Sequence, residues 1–190
     1  MSSKLCWLFV LAFPLYAMAQ TAREEITPAA DPSYCLISVS GHVGSQFTVA
    51  KLRSALDEAR KNKPGVVVLE FDTAAGNTAE AERLVDLIIG ARDLRFVAFV
   101  KKALGPGAAL VLACPDVFVT ETAMLGGTSA PNASEGVSDA DAKAQWATVC
   151  RKAADRGGYP AALAEAFCNG DIPLSAKKQE NRLFFSRAGD

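Results

Sequence analysis

The chain has 190 residues, half of them hydrophobic, with 20 basic against 21 acidic side chains. That is enough to bury one core without staples. The near-neutral balance excludes a nucleic-acid surface, which needs a basic excess. No spacing of cysteines and the single histidine fits a zinc pattern, and no metal or other cofactor is expected.

The first nineteen residues read as a secretory signal peptide: Lys4 is a positive start, Leu5 to Tyr16 an apolar run, and Ala17-Met18-Ala19 a cleavage site. The run is too short to span a bilayer, and no later segment reaches the roughly 18 apolar residues a span requires. The mature chain is therefore expected to begin near Gln20, to carry no membrane span, and to be periplasmic or extracellular. Residues 20–32 form a polar leader, and 33–190 the folded domain. Four cysteines follow the cleavage site in a compartment that permits disulfides. Cys150 and Cys168, on neighbouring predicted helices, are the best-placed pair. Cys35 and Cys114 fit buried free thiols equally well.

In chain order, Tyr34 to Val39 reads as a strand ended by Gly41. Val49, Leu52, Leu56 and Ala59 recur at helical spacing through Lys61, stopped by Pro64-Gly65. Val66 to Phe71 is a second strand, apolar on both faces, as expected where helices cover both sides of a sheet. Asn77 and Glu80 resemble a capping box before a helix that carries Ala81, Leu84, Val85, Ile88 and Ile89 on one face. Phe96 to Val100 is a third strand. It leads through Gly105-Pro106-Gly107 into a short apolar helix, then into a fourth strand, Val117 to Thr120, and the pair Gly126-Gly127. Repeated strand-helix units predict right-handed crossovers and a parallel sheet. Ser138 caps a helix to about Asp155, broken at Gly157-Gly158. Pro160 opens another, carrying Leu163, Ala164 and Phe167. Ile172 to Ser175 and Leu183 to Ser186 read as a hairpin around Gln179-Glu180-Asn181.

The stretch from Phe96 to Pro131 organises the rest. A sharp turn from strand to helix is where α/β enzymes place nucleophiles, because the free N–H groups of the first helical turn face whatever sits above it. Here the turn offers no hydroxyl or thiol. Three segments nevertheless share one pattern: Glu70-Phe71-Asp72-Thr73-Ala74-Ala75-Gly76, Lys102 to Ala108, and Leu125-Gly126-Gly127-Thr128-Ser129-Ala130-Pro131. Their order and spacing resemble the ClpP-class peptidases, in particular the NfeD-like serine proteases and signal peptide peptidase A, from about Tyr34 to Phe185.

The resemblance implies an α/β ClpP/crotonase fold, a spiral of ββα units with a mostly parallel sheet flanked by helices, and a serine nucleophile with a lysine base. It also implies a peptide or protein segment as partner, homo-oligomers assembled through a helical arm, and a domain that extends beyond the hairpin. Carried over, the nucleophile position is Gly105 and the candidate general base is Lys143, one turn from Trp146 and Ala147 and so expected to be partly desolvated. The oxyanion and peptide-binding positions are Ala75, Gly76, Pro106 and Gly107. Three departures coincide: glycine replaces the serine, alanine replaces the first glycine of the oxyanion pair, and Pro106 has no N–H. They predict a degenerate member without peptidase activity, kept as a peptide-binding or assembly module. The alternatives are a displaced nucleophile, for which Ser129 and Cys114 are the candidates with His42 as the only histidine either could use, and a crotonase-like acyl-thioester enzyme. The latter resemblance rests on Ala103 to Gly107 and Leu112 to Asp116, and lacks an obvious acid.

Overall fold

The computed structural model describes residues 33–127, 138–168, 172–179 and 182–188. The expected signal peptide and leader lie outside these, as does the side chain of Cys168 and with it the expected Cys150 pairing. The elements are β1 (Tyr34–Val43), α1 (Val49–Asn62), β2 (Val66–Gly76), α2 (Thr78–Gly90), β3 (Phe96–Leu104), α3 (Pro106–Leu112), β4 (Asp116–Gly126), α4 (Asp139–Gly157), α5 (Ala161–Cys168), β5 (Leu174–Gln179) and β6 (Arg182–Arg187). The first four strands form one sheet in the order β1-β2-β3-β4, every neighbour parallel, and β5 and β6 form an antiparallel hairpin. Three helical crossovers between sequential parallel strands are what the repeated strand-helix pattern requires. Among the described residues no helix is long and apolar enough to cross a membrane, and no cluster could hold a metal ion.

Each of these four strands runs on past the end expected from its hydrophobic pattern. The register breaks at Gly41/His42 in β1, at Phe71/Asp72 in β2 and after Val100 in β3, where Thr120 to Ala123 of β4 lie opposite the single residue Lys101. A bulge bends a strand and re-aims the residues beyond it. All four strands therefore bend after their core-facing portion and continue as short terminal pieces, which is how one unit comes to have a ββα character. The alternation stops at the bend, and a reading of periodicity stops with it.

The core lies against one face of the sheet. Ile37 and Val39 of β1, Val67, Leu69 and Phe71 of β2, and Phe96, Ala98 and Val100 of β3 are buried together with Leu52, Leu56, Leu84 and Ile88 of the helices. Every residue of α3 is buried, which suits a helix that is apolar all round. The expectation that helices cover β2 on both sides needs correction. Its outward residues Val66, Val68 and Glu70 are only half-buried, and Tyr34 and Leu36, paired with Val66 and Val68, are exposed. A largely apolar run does not say what covers its two faces.

The caps follow the sequence with one change. Ser138 Oγ accepts from the Asp141 N–H at 3.1 Å to start α4, and Gly158 closes it in the left-handed conformation. Asn77 Oδ1 accepts from the Glu80 N–H at 2.9 Å, the first half of the expected box. Glu80 does not complete it. Its Oε1 instead accepts from the Val49 N–H at 2.8 Å, so a carboxylate of α2 caps the N-terminus of α1. The reciprocal donor is engaged elsewhere, since the Asn77 N–H donates to Val43 O at 2.8 Å. Glu80→Ala is expected to cost about 1–2 kcal/mol in urea unfolding, and Glu80→Gln, which keeps an acceptor for Val49, to cost clearly less.

Candidate functional site

Gly105 is the single residue between the end of β3 and the start of α3, at φ 58° and ψ −133°. Its N–H donates to Gly126 O at 3.1 Å, and its carbonyl accepts from the Ala108 N–H at 3.1 Å. Strand, helix and the end of β4 are thus joined at one residue. The conformation belongs to the strained strand-to-helix elbow that exposes a nucleophile in α/β hydrolases, and a residue other than glycine would bear roughly 1–3 kcal/mol of strain in it. Space is not the obstacle. A Cβ at position 105 would meet only the Ala75 Cα, at 3.9 Å. The slot for a nucleophilic side chain is present and empty of one.

Around this elbow the structure gathers most of the expected residues. Pro106 takes the first helical position, where its fixed φ suits the helix and its missing N–H breaks no internal bond. The same missing N–H removes the donor that the residue after a nucleophile supplies to an oxyanion. Ala75 and Gly76 end β2, in register with His42 and Val43. Among the described residues only Lys63 departs from glycine at positive φ, so Ala75 has ordinary backbone geometry and keeps its donor. Gly107 is fixed by close approach. A Cβ there would overlap Thr73 Oγ1 and lie 3.2 Å from Thr73 Cβ.

Thr73 is the residue the sequence reading missed. It is fully buried beneath the first turn of α3, and its Oγ1 has no hydrogen-bond partner among the described residues. It lies in the segment from Glu70 to Gly76, but no strand pattern marks a threonine as the floor of a turn some thirty residues later.

Lys143 is exposed on the first turns of α4, contrary to the desolvation expected for a base. It lines a cavity of about 320 Å³ with Ala147, Arg151, Ile172 and the ion pair Arg187–Glu165. No residue of the elbow lines that cavity. A roomier cleft of about 860 Å³ is bordered by Ile89 and Arg92 on one side and Arg151, Lys152 and Arg156 on the other, again without an elbow residue.

The displaced nucleophiles fare unequally. Cys114 is buried, its thiol donating to Leu110 O at 3.6 Å, and burial pushes its pKa up to about 12 against the opposing charge of Arg156. At neutral pH it is a thiol, the unreactive form. Tyr159 donates to Cys114 O at 3.0 Å, and burial likewise raises its phenol to about 12. His42 is exposed, with its backbone tied into the turn by Gln46: its N–H donates to Gln46 Oε1 at 2.7 Å and its carbonyl accepts from the Gln46 N–H at 2.9 Å. Ser129 lies outside the described residues.

A parallel sheet with crossover helices, bent strand ends and an elbow between β3 and α3 define the ClpP-like protease fold. The chain belongs to the NfeD family within it: the profile of the NfeD1b N-terminal domain matches residues 35–188. Solved structures agree on the fold. The chain is similar to 1510-N, a membrane-bound stomatin-specific protease solved as a serine-to-alanine mutant, with 16% identity, a TM-score of 0.64, and 75% of this chain and 72% of that one covered. A lysine-to-alanine mutant of the same protease in complex with a substrate peptide matches with 16% identity and a TM-score of 0.61, covering 75% and 68%. No curated protein matches the chain.

The packing of Gly107 on Thr73 yields a two-residue test. Gly107→Ala is expected to destabilise by about 1–3 kcal/mol through overpacking. Combined with Thr73→Ala, which removes the overlapping hydroxyl, the loss should fall short of the sum of the single variants by about 1 kcal/mol or more. Additive losses in urea unfolding would contradict the contact.

Proposed function

We propose that this chain is an exported, non-catalytic NfeD-type domain that holds an extended peptide or protein segment beside the elbow and does not cleave it. The observation that carries the reading is glycine at the elbow position. The conformation of a nucleophile elbow is kept at Gly105, with room for a side chain, and no hydroxyl or thiol occupies it. The oxyanion side is weakened as well, since loss of one donor alone costs about 10²–10³ in rate and Pro106 has none to give. The exposed placement of Lys143 fits the same reading, because a base without a proton to take has no reason to be desolvated.

Peptide binding asks less of the site. The outer edge of β4 pairs with no described strand, and it ends beside the elbow, where Leu104 and Gly126 are in register. Val119, Met124 and Leu125 are exposed along this strand. An open edge with apolar side chains binds an extended segment by adding a strand, with backbone hydrogen bonds giving affinity and side-chain contacts giving preference. The substrate peptide held by the related protease supports the same use of the fold here.

The test incubates the protein with a mixture of peptides of defined sequence and reads both retention and new termini by mass spectrometry. Saturable retention of extended apolar peptides with every peptide intact is expected, and retention should fall at least tenfold in Val119→Asp. New termini that persist in a repurified preparation would establish a displaced nucleophile. Absence of retention would remove the binding role.

A further inference from the structure

We infer that the cleft between α2 and α4 is a binding site for a phosphate-bearing ligand, apart from both the elbow and the peptide edge. Its walls carry Arg92, just past the end of α2, and Arg151, Lys152 and Arg156 of α4, against the single carboxylate of Asp155. Lys152 is already paired with Asp86 of α2, a contact that ties the two helices together. Three guanidinium groups therefore face one carboxylate, and none of the three forms an ion pair among the described residues. Elsewhere in the chain Arg60, Arg83, Arg95 and Arg187 each meet a carboxylate. Arg53 on α1 has no ion pair among the described residues either, and it lines no part of the cleft.

Basic side chains near a helix C-terminus commonly bond its last carbonyls. In α4 those carbonyls already have backbone donors: Ala154 O accepts from the Tyr159 N–H at 2.9 Å and Asp155 O from the Gly158 N–H at 3.3 Å. Arg156 makes no such bond, since its Nε is buried without a hydrogen-bond partner among the described residues. A buried donor is costly to leave unmet. Lys152 and Arg156 also stand four residues apart on one helix, a like-charge spacing that weakens it. The packing nevertheless holds the arrangement in place. The end of α4 approaches α3 so closely that a Cβ on Gly157 would lie 2.2 Å from Leu112 O. An anion in the cleft offsets both costs.

Phosphate matches this charge better than a carboxylate does. One phosphate dianion balances the excess that the three arginines have over Asp155, and its oxygens accept paired N–H donors from several planar guanidinium groups at once. A single carboxylate leaves part of that excess unmet. The cleft holds about 860 Å³, within the roughly 300–1,000 Å³ of small-molecule sites. It therefore admits more than the phosphate, and Ile89 offers the remainder of the ligand an apolar wall. Such a group arrives either on a soluble molecule or as the headgroup of an anionic phospholipid.

Two titrations at low ionic strength, where exposed charges are least screened, test this. Inorganic pyrophosphate is followed by calorimetry, and vesicles of phosphatidylcholine containing phosphatidylglycerol by co-sedimentation. Saturable binding to at least one probe is expected. Arg92→Gln and Arg151→Gln, both at exposed positions, should each weaken it by about tenfold or more with an unchanged unfolding midpoint. Arg53→Gln, which removes an unpaired arginine elsewhere, should leave it unchanged. Pyrophosphate binding identifies a soluble ligand, and binding confined to the phosphatidylglycerol vesicles a lipid headgroup. No binding to either probe overturns the inference, as does binding that survives both cleft substitutions. Equal weakening in Arg53→Gln overturns it too, because the attraction is then to charge at large. Binding of polyglutamate in place of both probes does the same, since the cleft then holds an acidic protein segment.

Discussion

One residue holds the functional end of this molecule together. Gly105 must turn the chain from β3 into α3 without an intervening loop, and it does so in a conformation that only glycine adopts without strain. Its N–H secures the end of β4, its carbonyl starts α3, and the helix it starts is buried on every side. Moving this residue would displace the helix from the core and the last strand from the sheet. The elbow therefore has a structural reason to persist whether or not a nucleophile rides on it. That separates two things an active protease combines: the shape of the turn, which packing maintains, and the hydroxyl, which only catalysis requires.

Much of this was legible in the sequence because the fold depends on periodicity and punctuation. Apolar spacing located the helices, Gly-Pro and Gly-Gly pairs marked their ends, and three short segments in fixed order pointed to the family. What escaped notice depended on contacts distant in sequence. The strand ends beyond Val39, Phe71, Val100 and Thr120 lost their alternation at bulges, so nothing periodic remained to read. Glu80 looked like the second half of a local box, yet its carboxylate serves Val49, thirty-one residues earlier. Thr73 looked like an ordinary strand residue and is the floor of the elbow. The placement of Lys143 likewise depends on how α4 lies, which spacing along the chain does not determine.

The outer edge of β4 offers unpaired backbone groups and suits another extended chain. That edge belongs to the same sheet as the elbow, which lies at the end of the third strand.

The most direct test of the account is intact-mass analysis of the wild-type chain after treatment with a fluorophosphonate, which forms a covalent adduct on an activated serine, run beside Gly105→Ser. The account predicts no adduct on the wild type, and that any adduct on the variant lies at position 105, where the elbow again carries a hydroxyl. An adduct on the wild type would contradict it, and the labelled residue would be the nucleophile of an active enzyme.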